Sequence, residues 1–223
     1  MGTIPPLALS LIALALAATA ARVPAESVAL PAPRIAGALS VEQALAGRRS
    51  VRDFASTPLT LEQVGQLLWA AQGENRPNGR RTAPSAGATY PLELRLAAGE
   101  VEGLAPGLYR YVPSGHRLER LDVRDLRLAL VRAAHEQAWM AEAPALVAVS
   151  AIAARTAARY GERAERYVPI EVGHAAENLL LQAVALGLGS TPVGAFDDRA
   201  VENLLALGAG ETPYLLLPVG KPR

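Results

Sequence analysis

The chain has 223 residues, of which 51% are hydrophobic, and its 22 Lys and Arg are nearly balanced by 21 Asp and Glu. This composition suits one globular domain whose core needs neither disulfides nor a metal, and the near-neutral charge excludes the basic face of a nucleic-acid-binding protein. Cysteine is absent, which excludes disulfides, thiolate nucleophiles, zinc–thiolate sites and iron–sulfur clusters.

The first 27 residues have the features of a signal peptide or an N-terminal anchor. Leu7 to Ala18 is apolar, and Ala18-Thr19-Ala20 is the small-residue pattern that precedes a cleavage site. The run is shorter than the roughly 20 residues of a membrane-spanning helix. We expect an exported or periplasmic protein that contacts a membrane only through this segment, if it is uncleaved. The alternatives are an Ala-rich helix and a start codon placed too far upstream, which would leave the protein cytoplasmic.

Two capping boxes mark the first helices of the predicted domain. Ser40-Val41-Glu42-Gln43 and Thr60-Leu61-Glu62-Gln63 each predict a helix start, because the first and fourth side chains bind each other's main-chain N–H groups. The first helix should end near Gly47, and the second carries an apolar stripe at helical spacing. From Gly73 to Gly87 the chain is rich in Gly, Pro, Asn and Arg, which predicts a loop.

Four strands are predicted in the middle of the chain. Leu92 to Leu96 alternates Leu with charged residues, as a half-buried strand does. Gly107–Val112 and Arg117–Leu121, separated by the turn Pro113–Gly115, predict a hairpin. Ala145–Ile152 is continuously apolar, which is typical of a central strand.

The remaining elements complete an α+β pattern. Residues 28–38 are predicted to be a linker and residues 39–223 the folded domain. The order of elements predicts a sheet covered by helices rather than a regular βαβ array. Three more helices and a last strand are predicted, from Arg124 to Gln137, from Val168 to Leu186, from Asp197 or Asp198 to Leu207, and from Tyr214 to Val219.

Several common kinds of site are excluded by spacing. Gly187-Leu188-Gly189 lacks a third glycine at the right distance and ends a predicted helix, so it is not a dinucleotide-binding fingerprint. The serines lack a Gly-x-Ser-x-Gly setting, which argues against a hydrolase nucleophile. The histidines, His116, His135 and His174, are far apart, so no metal site is predicted.

The remaining candidate is an anion site. The segment Arg48–Arg52 carries three arginines around Ser50 at the end of a helix, and guanidinium groups match the geometry of phosphate oxygens. A second cationic cluster, Lys221 and Arg223, follows the last predicted strand. Each cluster alone is typical of a solvated surface, whereas the two together are compatible with one shared phosphate.

A loop of small residues adds to this candidate. Pro84–Pro91 lets the main chain approach a planar ligand closely, although an ordinary tight loop would look the same. The segment Arg48–Phe54 resembles the opening signature of the nitroreductase superfamily. The run from Arg81 to Pro91, which contains this loop, resembles the SagB/ThcOx-type dehydrogenase branch of that superfamily. Glu171–Gln182 and Pro192–Phe196 are similar to the core helix and the flavin loop of the same branch. The resemblance covers nearly the whole predicted domain.

This resemblance implies a nitroreductase-like mixed central sheet and a homodimer with FMN at its interface. It implies an FMN-dependent oxidoreductase that acts between a hydride donor such as NAD(P)H and an organic small-molecule acceptor. The alternative is a SagB/ThcOx-like dehydrogenase that oxidises a peptide or small organic substrate with oxygen as the acceptor. Azoline-oxidising members carry a Lys-Tyr pair, whose nearest counterpart here is Arg166-Tyr167. A non-catalytic exported flavin-binding protein is the rival interpretation.

The resemblance also assigns site residues by position. Arg48 and Ser50 are expected to contact the phosphate, with Arg49 nearby, and Arg52 to lie at the pyrimidine edge of the flavin, where a positive charge stabilises the reduced ring. No acid–base side chain is required, because flavin N5 carries the hydride; Arg52, Tyr90 and Tyr167 are the candidates nearest the chemistry. The other cofactor-binding candidates are a loop from the partner subunit (Pro84, Ser85, Ala86, Gly87, Ala88), a segment at N5 (Val193, Gly194, Ala195) and the C-terminal pair (Lys221, Arg223).

Overall fold

The centre of the fold is a seven-stranded sheet, seen in a computed structural model that describes residues 26–223. The strands of this part of the chain are β1 (Ser27–Ala29), β2 (Leu59–Thr60), β3 (Glu74–Arg76), β4 (Arg80–Arg81), β5 (Leu92–Ala98), β6 (Val101–Glu102), β7 (Gly107–Val112), β8 (Arg117–Asp122), β9 (Ala145–Ile152), β10 (Gly189–Ser190) and β11 (Glu211–Gly220). Their order in the sheet is β1-β8-β7-β5-β9-β11-β10, and neighbouring strands pair antiparallel.

Parallel pairing occurs at two places in residues 26–223. Strands β2 and β6 form a separate two-stranded parallel pair, and an isolated parallel bridge joins Ser50 to Ser190 beside β10. Strands β3 and β4 form a small antiparallel hairpin of their own. The predicted α+β class, with mixed strand pairing and covering helices, is confirmed.

Helices cover both faces of the sheet. They are α1 (Val41–Gly47), α2 (Leu61–Gln72), α3 (Arg127–Ala133), α4 (Ala154–Tyr160), α5 (Ala164–Ala185) and α6 (Asp198–Leu204). Helices α2 and α5 pack on one face, and α3 and α6 on the other. Neighbouring residues of a strand point to opposite faces, so Val147 and Val149 of β9 face α2 and α5, while Leu146 and Ala148 face α3 and α6. This two-sided burial explains why β9 is apolar throughout.

The local start signals in the sequence are confirmed. The Ser40 hydroxyl accepts the Gln43 N–H at 3.2 Å, and the Gln43 side chain accepts the Ser40 N–H at 2.8 Å. Thr60 and Gln63 repeat this reciprocal pair at the start of α2. The third helix start, with Asp197 as the N-cap of α6, is also as predicted.

Several predicted boundaries were wrong. The predicted helix from Arg124 to Gln137 is only α3, because His135 and Glu136 adopt positive φ angles of 54° and 56°, which a continuing helix does not allow. Helix α5 begins at Ala164, four residues before the predicted Val168, and Pro169 lies inside its early turns. A proline there removes one main-chain hydrogen bond without ending the helix. The last helix ends at Leu204 rather than Leu207.

The predicted loop and linker also contain strands. The loop from Gly73 to Gly87 holds the β3–β4 hairpin, which turns at Asn78 and Gly79 with φ angles of 72° and 70°. Ser27–Ala29, which contains the last residue of the predicted leader and the first two residues of the predicted linker, pairs with β8 as an edge strand. The segment proposed as a leader lies outside the described residues apart from its last two positions. In residues 26–223, no helix has the length and apolar character needed to cross a membrane.

Strand β5 is buried on both faces, whereas its alternation predicted a half-buried strand. Its polar position Arg95 is only 5% exposed and points towards the α3–α6 face, where its Nη2 lies 3.0 Å from Glu211 Oε2. Its Nη1 contacts both Glu211 and Ser150. Burial alone would raise the pKa of Glu211, but the Arg95 guanidinium and the Ser150 hydroxyl more than offset it and hold that pKa below its ordinary value. An ion pair thus replaces apolar contact at this point of the core.

Candidate functional site

The predicted arginine segment lies between strand β10 and the C-terminus. Arg48 follows α1 and donates its N–H to Ala44 O at 2.9 Å. Val51 then donates its N–H to Ser190 O at 3.2 Å, and the Thr191 hydroxyl donates to Val51 O at 2.7 Å. A Cβ on Gly189 would lie 2.5 Å from Val51 Cγ2, so glycine is what lets β10 approach this segment.

The C-terminal residues run along the same segment. Ala55 donates its N–H to Lys221 O at 2.9 Å, and Arg223 donates its N–H to Asp53 O at 3.2 Å. The Arg223 guanidinium lies 3.1 Å from Asp53 Oδ1 and donates to Phe54 O at 3.0 Å. The fold therefore brings the two cationic clusters of the sequence to one surface.

The arginines of this surface are only partly used by the protein. Arg48 Nε lies 3.7 Å from Glu177 Oε1, with both side chains part-exposed. Within residues 26–223, Arg49 and Arg52 have no carboxylate within 4.0 Å. The Arg52 guanidinium instead lies 5.7 Å from the centre of the Trp139 ring. Arg223 is more fully used, because it pairs with Asp53 at 3.1 Å and with Glu142 at 3.5 Å. The donors that remain available to an anion are therefore mainly those of Arg48, Arg49 and Arg52.

A cavity of about 170 Å³ lies beside the arginine segment. Arg48, Arg49 and Pro222 line it together with Ser190. The Ser190 Oγ is buried and has no hydrogen-bond partner in the described part of the chain. An unpaired buried hydroxyl is rare in a protein interior, which makes Ser190 a candidate ligand-binding group of this cavity. The sequence did not single it out.

The glycine-containing segment after β10 is held by the sheet. Val193 exchanges two main-chain hydrogen bonds with Leu216, of 2.8 and 2.9 Å, and Gly194 and Ala195 follow it at the surface. Gln137 Nε2 donates to Ala195 O at 3.3 Å. The turn that starts at Gln137 also carries Trp139, which Arg52 covers, so one turn contacts both parts of the predicted site.

Sequence reasoning missed this turn, Ala138–Glu142 with Gln137 before it. No motif marks Gln137 or Trp139, and they lie far along the chain from Arg52 and Ala195. The one available signal is that Trp139 is one of two tryptophans in the chain. Its ring stacks on Phe54 with centroids 6.5 Å apart, which ties the turn to the arginine segment.

The small-residue loop lies on helices α4 and α5. Pro84 is exposed, and Ala86–Ala88 form a short 3₁₀ turn in which Gly87 has a φ of 59°. The Ser85 Oγ accepts the Tyr90 N–H at 2.9 Å. A Cβ on Gly87 would lie 2.6 Å from the Tyr160 hydroxyl, so this glycine permits both the backbone angle and the close approach of α4.

A buried carboxylate supports this loop from below. Glu171 of α5 is 3% exposed, and its Oε1 has no partner within residues 26–223. Burial raises the pKa of Glu171, an effect that the Ser85 hydroxyl, the Arg81 guanidinium and the Ala86 N–H partly offset. Glu171 begins the segment Glu171–Gln182 that carries part of the family resemblance, but the sequence predicted no role for it.

The predicted tyrosines lie with the loop rather than with the arginine segment. The Tyr90 ring lies 4.7 Å from the Arg81 guanidinium carbon, and Tyr167 packs edge-on against Tyr160 at 5.3 Å. Each of these rings is part-buried and contributes to packing in this region.

One chain does not bring the loop and the arginine segment together. The loop contacts the first half of α5 at Glu171. The second half meets Arg48, whose Nε lies 3.7 Å from Glu177 Oε1, and Gly47, whose added Cβ would lie 3.1 Å from Val184. A helix rises roughly 1.5 Å per residue, so these two contacts lie about 9 Å and about 20 Å from Glu171 along α5. The loop and the arginine segment therefore contact α5 at different positions.

Comparison with known proteins gives the family. A model of the nitroreductase family matches residues 45–221. A predicted nitroreductase of Methanocaldococcus jannaschii is 42% identical over 183 residues, which cover 82% of this chain and 91% of the relative.

Two solved structures share the fold. A predicted nitroreductase from Ralstonia eutropha has 30% identity and a TM-score of 0.75, with 90% of this chain and 93% of the other covered. The NADPH:FMN oxidoreductase of Vibrio harveyi, complexed with NAD⁺, has 19% identity and a TM-score of 0.58, with 82% and 68% covered. The chain belongs to the nitroreductase family of oxidoreductases.

Proposed function

We propose that the protein is an FMN-dependent oxidoreductase that acts between a hydride donor such as NAD(P)H and an organic acceptor. The observation that carries this proposal is the meeting of Arg48–Arg52 with Lys221 and Arg223 at one surface, beside a cavity that Arg49 and the unpaired Ser190 hydroxyl line. This donor set fits a phosphate, since guanidinium groups bind phosphate oxygens in pairs. The Vibrio harveyi relative, by its name, uses FMN.

The residues of this surface would contact different parts of FMN. Arg48 and Ser50 would bind the phosphate, with Arg49, Lys221 and Arg223 adding positive charge. Arg52 would place its charge at the pyrimidine edge, where Trp139 holds the guanidinium in position. Bound FMN would supply hydride transfer at N5.

The segment Val193–Ala195 would present main-chain groups to the ring. Val193 is fixed by its two hydrogen bonds to Leu216, and Gln137 holds the Ala195 carbonyl. Gly194 has only ordinary contacts around its Cβ position, the nearest at 3.8 Å, so the surface above it is open to a planar ligand.

A homodimer would complete the site with the partner's Pro84–Ala88 loop. Two observations support this. In one chain the loop lies against the first half of α5 and the arginine segment against the second half, which leaves the arginine segment uncovered by its own loop and open to the loop of a second copy. In addition, α1 exposes 66% of Val41 and 55% of Leu45, beside an apolar groove of about 290 Å³. Exposed apolar surface of this kind is typical of subunit interfaces.

Purified protein tests the central proposal. We expect a yellow protein whose absorbance is bleached by NADH or NADPH and restored by a quinone or a nitroaromatic compound. If flavin is retained but neither nucleotide bleaches it, while a peptide or small organic substrate does so and oxygen restores the colour, the SagB/ThcOx-type dehydrogenase is the correct function. A flavin that no donor reduces indicates the non-catalytic protein. A colourless protein that takes up no added FMN contradicts the proposal.

Arg48→Ala tests the phosphate assignment. Loss of a charge-assisted hydrogen bond of about 1.5–3 kcal/mol should weaken FMN binding roughly 10- to 100-fold, measured by fluorescence titration of the flavin-free protein. Arg124→Ala is the matched control, because Arg124 is an exposed arginine at the end of β8. FMN affinity equal to that of the control would refute the assignment.

Export is a separate proposal that rests on the apolar N-terminal run. Expression of the full chain, fractionation of the cells and N-terminal sequencing of the recovered protein test it. A mature chain that starts after Ala20 in the periplasmic fraction supports export. An intact N-terminus in the cytoplasmic fraction contradicts it.

A further inference from the structure

A polar pocket of about 350 Å³ lies between the β3–β4 hairpin and the start of the small-residue loop. Its wall combines arginines of the hairpin with side chains of the loop. The residues that matter for its chemistry are Arg76, Arg80, Arg81, Thr82 and Ser85. We call this cavity the arginine pocket; it is distinct from the cavity beside Arg48.

The arginine pocket has an excess of positive charge. Arg76 and Arg80 are exposed and have no carboxylate within 4.0 Å in residues 26–223, and residues 1–25 contain no Asp or Glu. The acids nearby are Glu74 on the hairpin, Glu171 beneath the loop and Glu93 of β5, whose charge acts on Arg81 but whose carboxylate also lies 2.7 Å from Arg155. Burial raises the pKa of Glu171, so these carboxylates do not fully neutralise the three guanidinium groups of the pocket.

The hairpin holds two of these charges opposite each other. Arg76 and Arg80 are paired residues across the β3–β4 ladder. Like charges at directly opposite positions destabilise a strand pair unless something neutralises them. The tight turn at Asn78 and Gly79 fixes this arrangement, because both residues adopt left-handed backbone angles.

The third arginine is anchored in a fixed orientation. Arg81 Nη1 donates to Gln72 Oε1 at 2.9 Å, and the guanidinium lies over the Tyr90 ring at 4.7 Å. An anchored guanidinium beside two free ones suits an anion with several acceptor oxygens, as in a phosphate or a carboxylate.

We propose that the arginine pocket binds a phosphate or carboxylate group of the reacting substrate. This inference rests on the proposed function, because Pro84 and Ser85 belong both to the pocket wall and to the loop proposed to cover the flavin. A substrate held by Arg76 and Arg80 would reach the ring past this loop. The oxyanion has two possible sources, the 2′-phosphate that distinguishes NADPH from NADH and a carboxylate on the organic acceptor.

Steady-state kinetics of the Arg76→Ala/Arg80→Ala double variant test the proposal. The substrates are two matched pairs, NADPH with NADH and 4-nitrobenzoate with 4-nitrobenzamide. We expect KM to rise about tenfold or more for the more negatively charged member of one pair only, which is NADPH or 4-nitrobenzoate. The KM of the other member of that pair, kcat and the FMN content should stay unchanged. Selective loss for NADPH identifies the nucleotide phosphate, and selective loss for 4-nitrobenzoate identifies the acceptor carboxylate. Equal changes within both pairs, or no change, overturn the proposal; Arg124→Ala controls for loss of surface charge.

A binding measurement separates failure of this inference from failure of the proposed function. In flavin-free protein, inorganic pyrophosphate should raise Tm through both anion sites. Arg48→Ala should remove the part of the rise in Tm that comes from the site at Arg48. Arg76→Ala/Arg80→Ala should remove the remaining part, which comes from the arginine pocket. If the double variant keeps the full rise, the arginine pocket binds no oxyanion, whether or not the protein binds FMN. If only the double variant loses part of the rise while FMN binding is absent, the pocket stands and the flavin proposal fails.

Discussion

Arg95 and Arg48 show two opposite settings of arginine in this chain. Arg95 is 5% exposed inside the sheet, and its terminal nitrogens contact Glu211 and Ser150. Arg48 lies at the surface after α1, with one contact of 3.7 Å to a part-exposed Glu177. The first guanidinium uses both of its terminal nitrogens inside the protein, whereas the second keeps most of its donors available to a ligand.

The difference separates residues that hold the fold from residues that can hold a cofactor. A buried charge must be paired, since an isolated one loses its hydration without compensation. An exposed charge stays hydrated, so its removal changes stability little and changes anion binding strongly. Loss of the Arg95 ion pair should therefore lower stability more than loss of Arg48 does, whereas loss of Arg48 should lower flavin affinity more.

The largest expected effect on stability is that of Glu211→Ala. This change leaves the Arg95 guanidinium buried without its carboxylate, and the free energy of unfolding should fall by about 3–5 kcal/mol. Urea denaturation followed by circular dichroism measures it. Glu102→Ala, at an exposed position of β6, should change stability by less than about 0.5 kcal/mol.

A double variant sharpens this result. Arg95→Met combined with Glu211→Leu removes both charges and should recover most of the lost stability, since apolar replacement of a buried ion pair is often neutral. A double variant as unstable as Glu211→Ala would show that the loss came from packing or from the Gly208 N–H, whose hydrogen bond Glu211 also accepts. The buried ion pair would then not be what separates Arg95 from Arg48.

Glu171→Gln tests an intermediate setting, a buried carboxylate near Arg81 that has no ion pair within residues 26–223. Burial raises the pKa of Glu171, so the native state holds this proton more tightly than the unfolded chain. The contribution of Glu171 to stability is therefore largest below its unfolded pKa of about 4.3 and is lost as the pH rises through the native pKa.

The glutamine side chain stays neutral over this range. Wild type should therefore lose stability relative to Glu171→Gln as the pH rises from about 4 to about 7, so that the unfolding free energy of the variant minus that of wild type increases. Denaturation curves at a series of pH values measure it. A difference that stays constant with pH would show that the Glu171 carboxyl titrates normally.

Apart from the control Glu102→Ala, Arg48→Ala should have the smallest effect on stability. The Arg48–Glu177 contact is part-exposed, and such pairs contribute about 0–1 kcal/mol. The unfolding free energy of flavin-free protein should therefore stay within about 1 kcal/mol of wild type, while FMN affinity falls as described above. A larger loss of stability would place Arg48 in the same class as Arg95.

The sequence predicted well those features that depend on neighbouring residues. The capping boxes at Ser40 and Thr60 were confirmed because each cap is made by residues three positions apart. Strand β9 was confirmed at its predicted bounds, since a buried strand must be apolar on both faces. The helix ends at Ala133 and Leu204 could not be predicted, because backbone angles and tertiary packing rather than composition decided where these helices end.

The candidate site was predicted in pieces. Each cationic cluster is visible in the sequence, and the family resemblance assigned both to one phosphate. Nothing local indicated Ser190, Gln137 or Trp139, because these residues become part of the site only through contacts with distant segments.

The sequence by itself determined the helix starts, the apolar central strands and the supply of arginines. Only the tertiary structure decided which arginine is buried and which faces solvent. Arg95 looks like any charged residue of an alternating strand until Glu211, 116 positions later, meets it across the sheet. The arginine segment likewise meets Thr191 and Arg223 across 140 and 169 positions. Such contacts depend on the packing of the whole sheet, which no local pattern encodes.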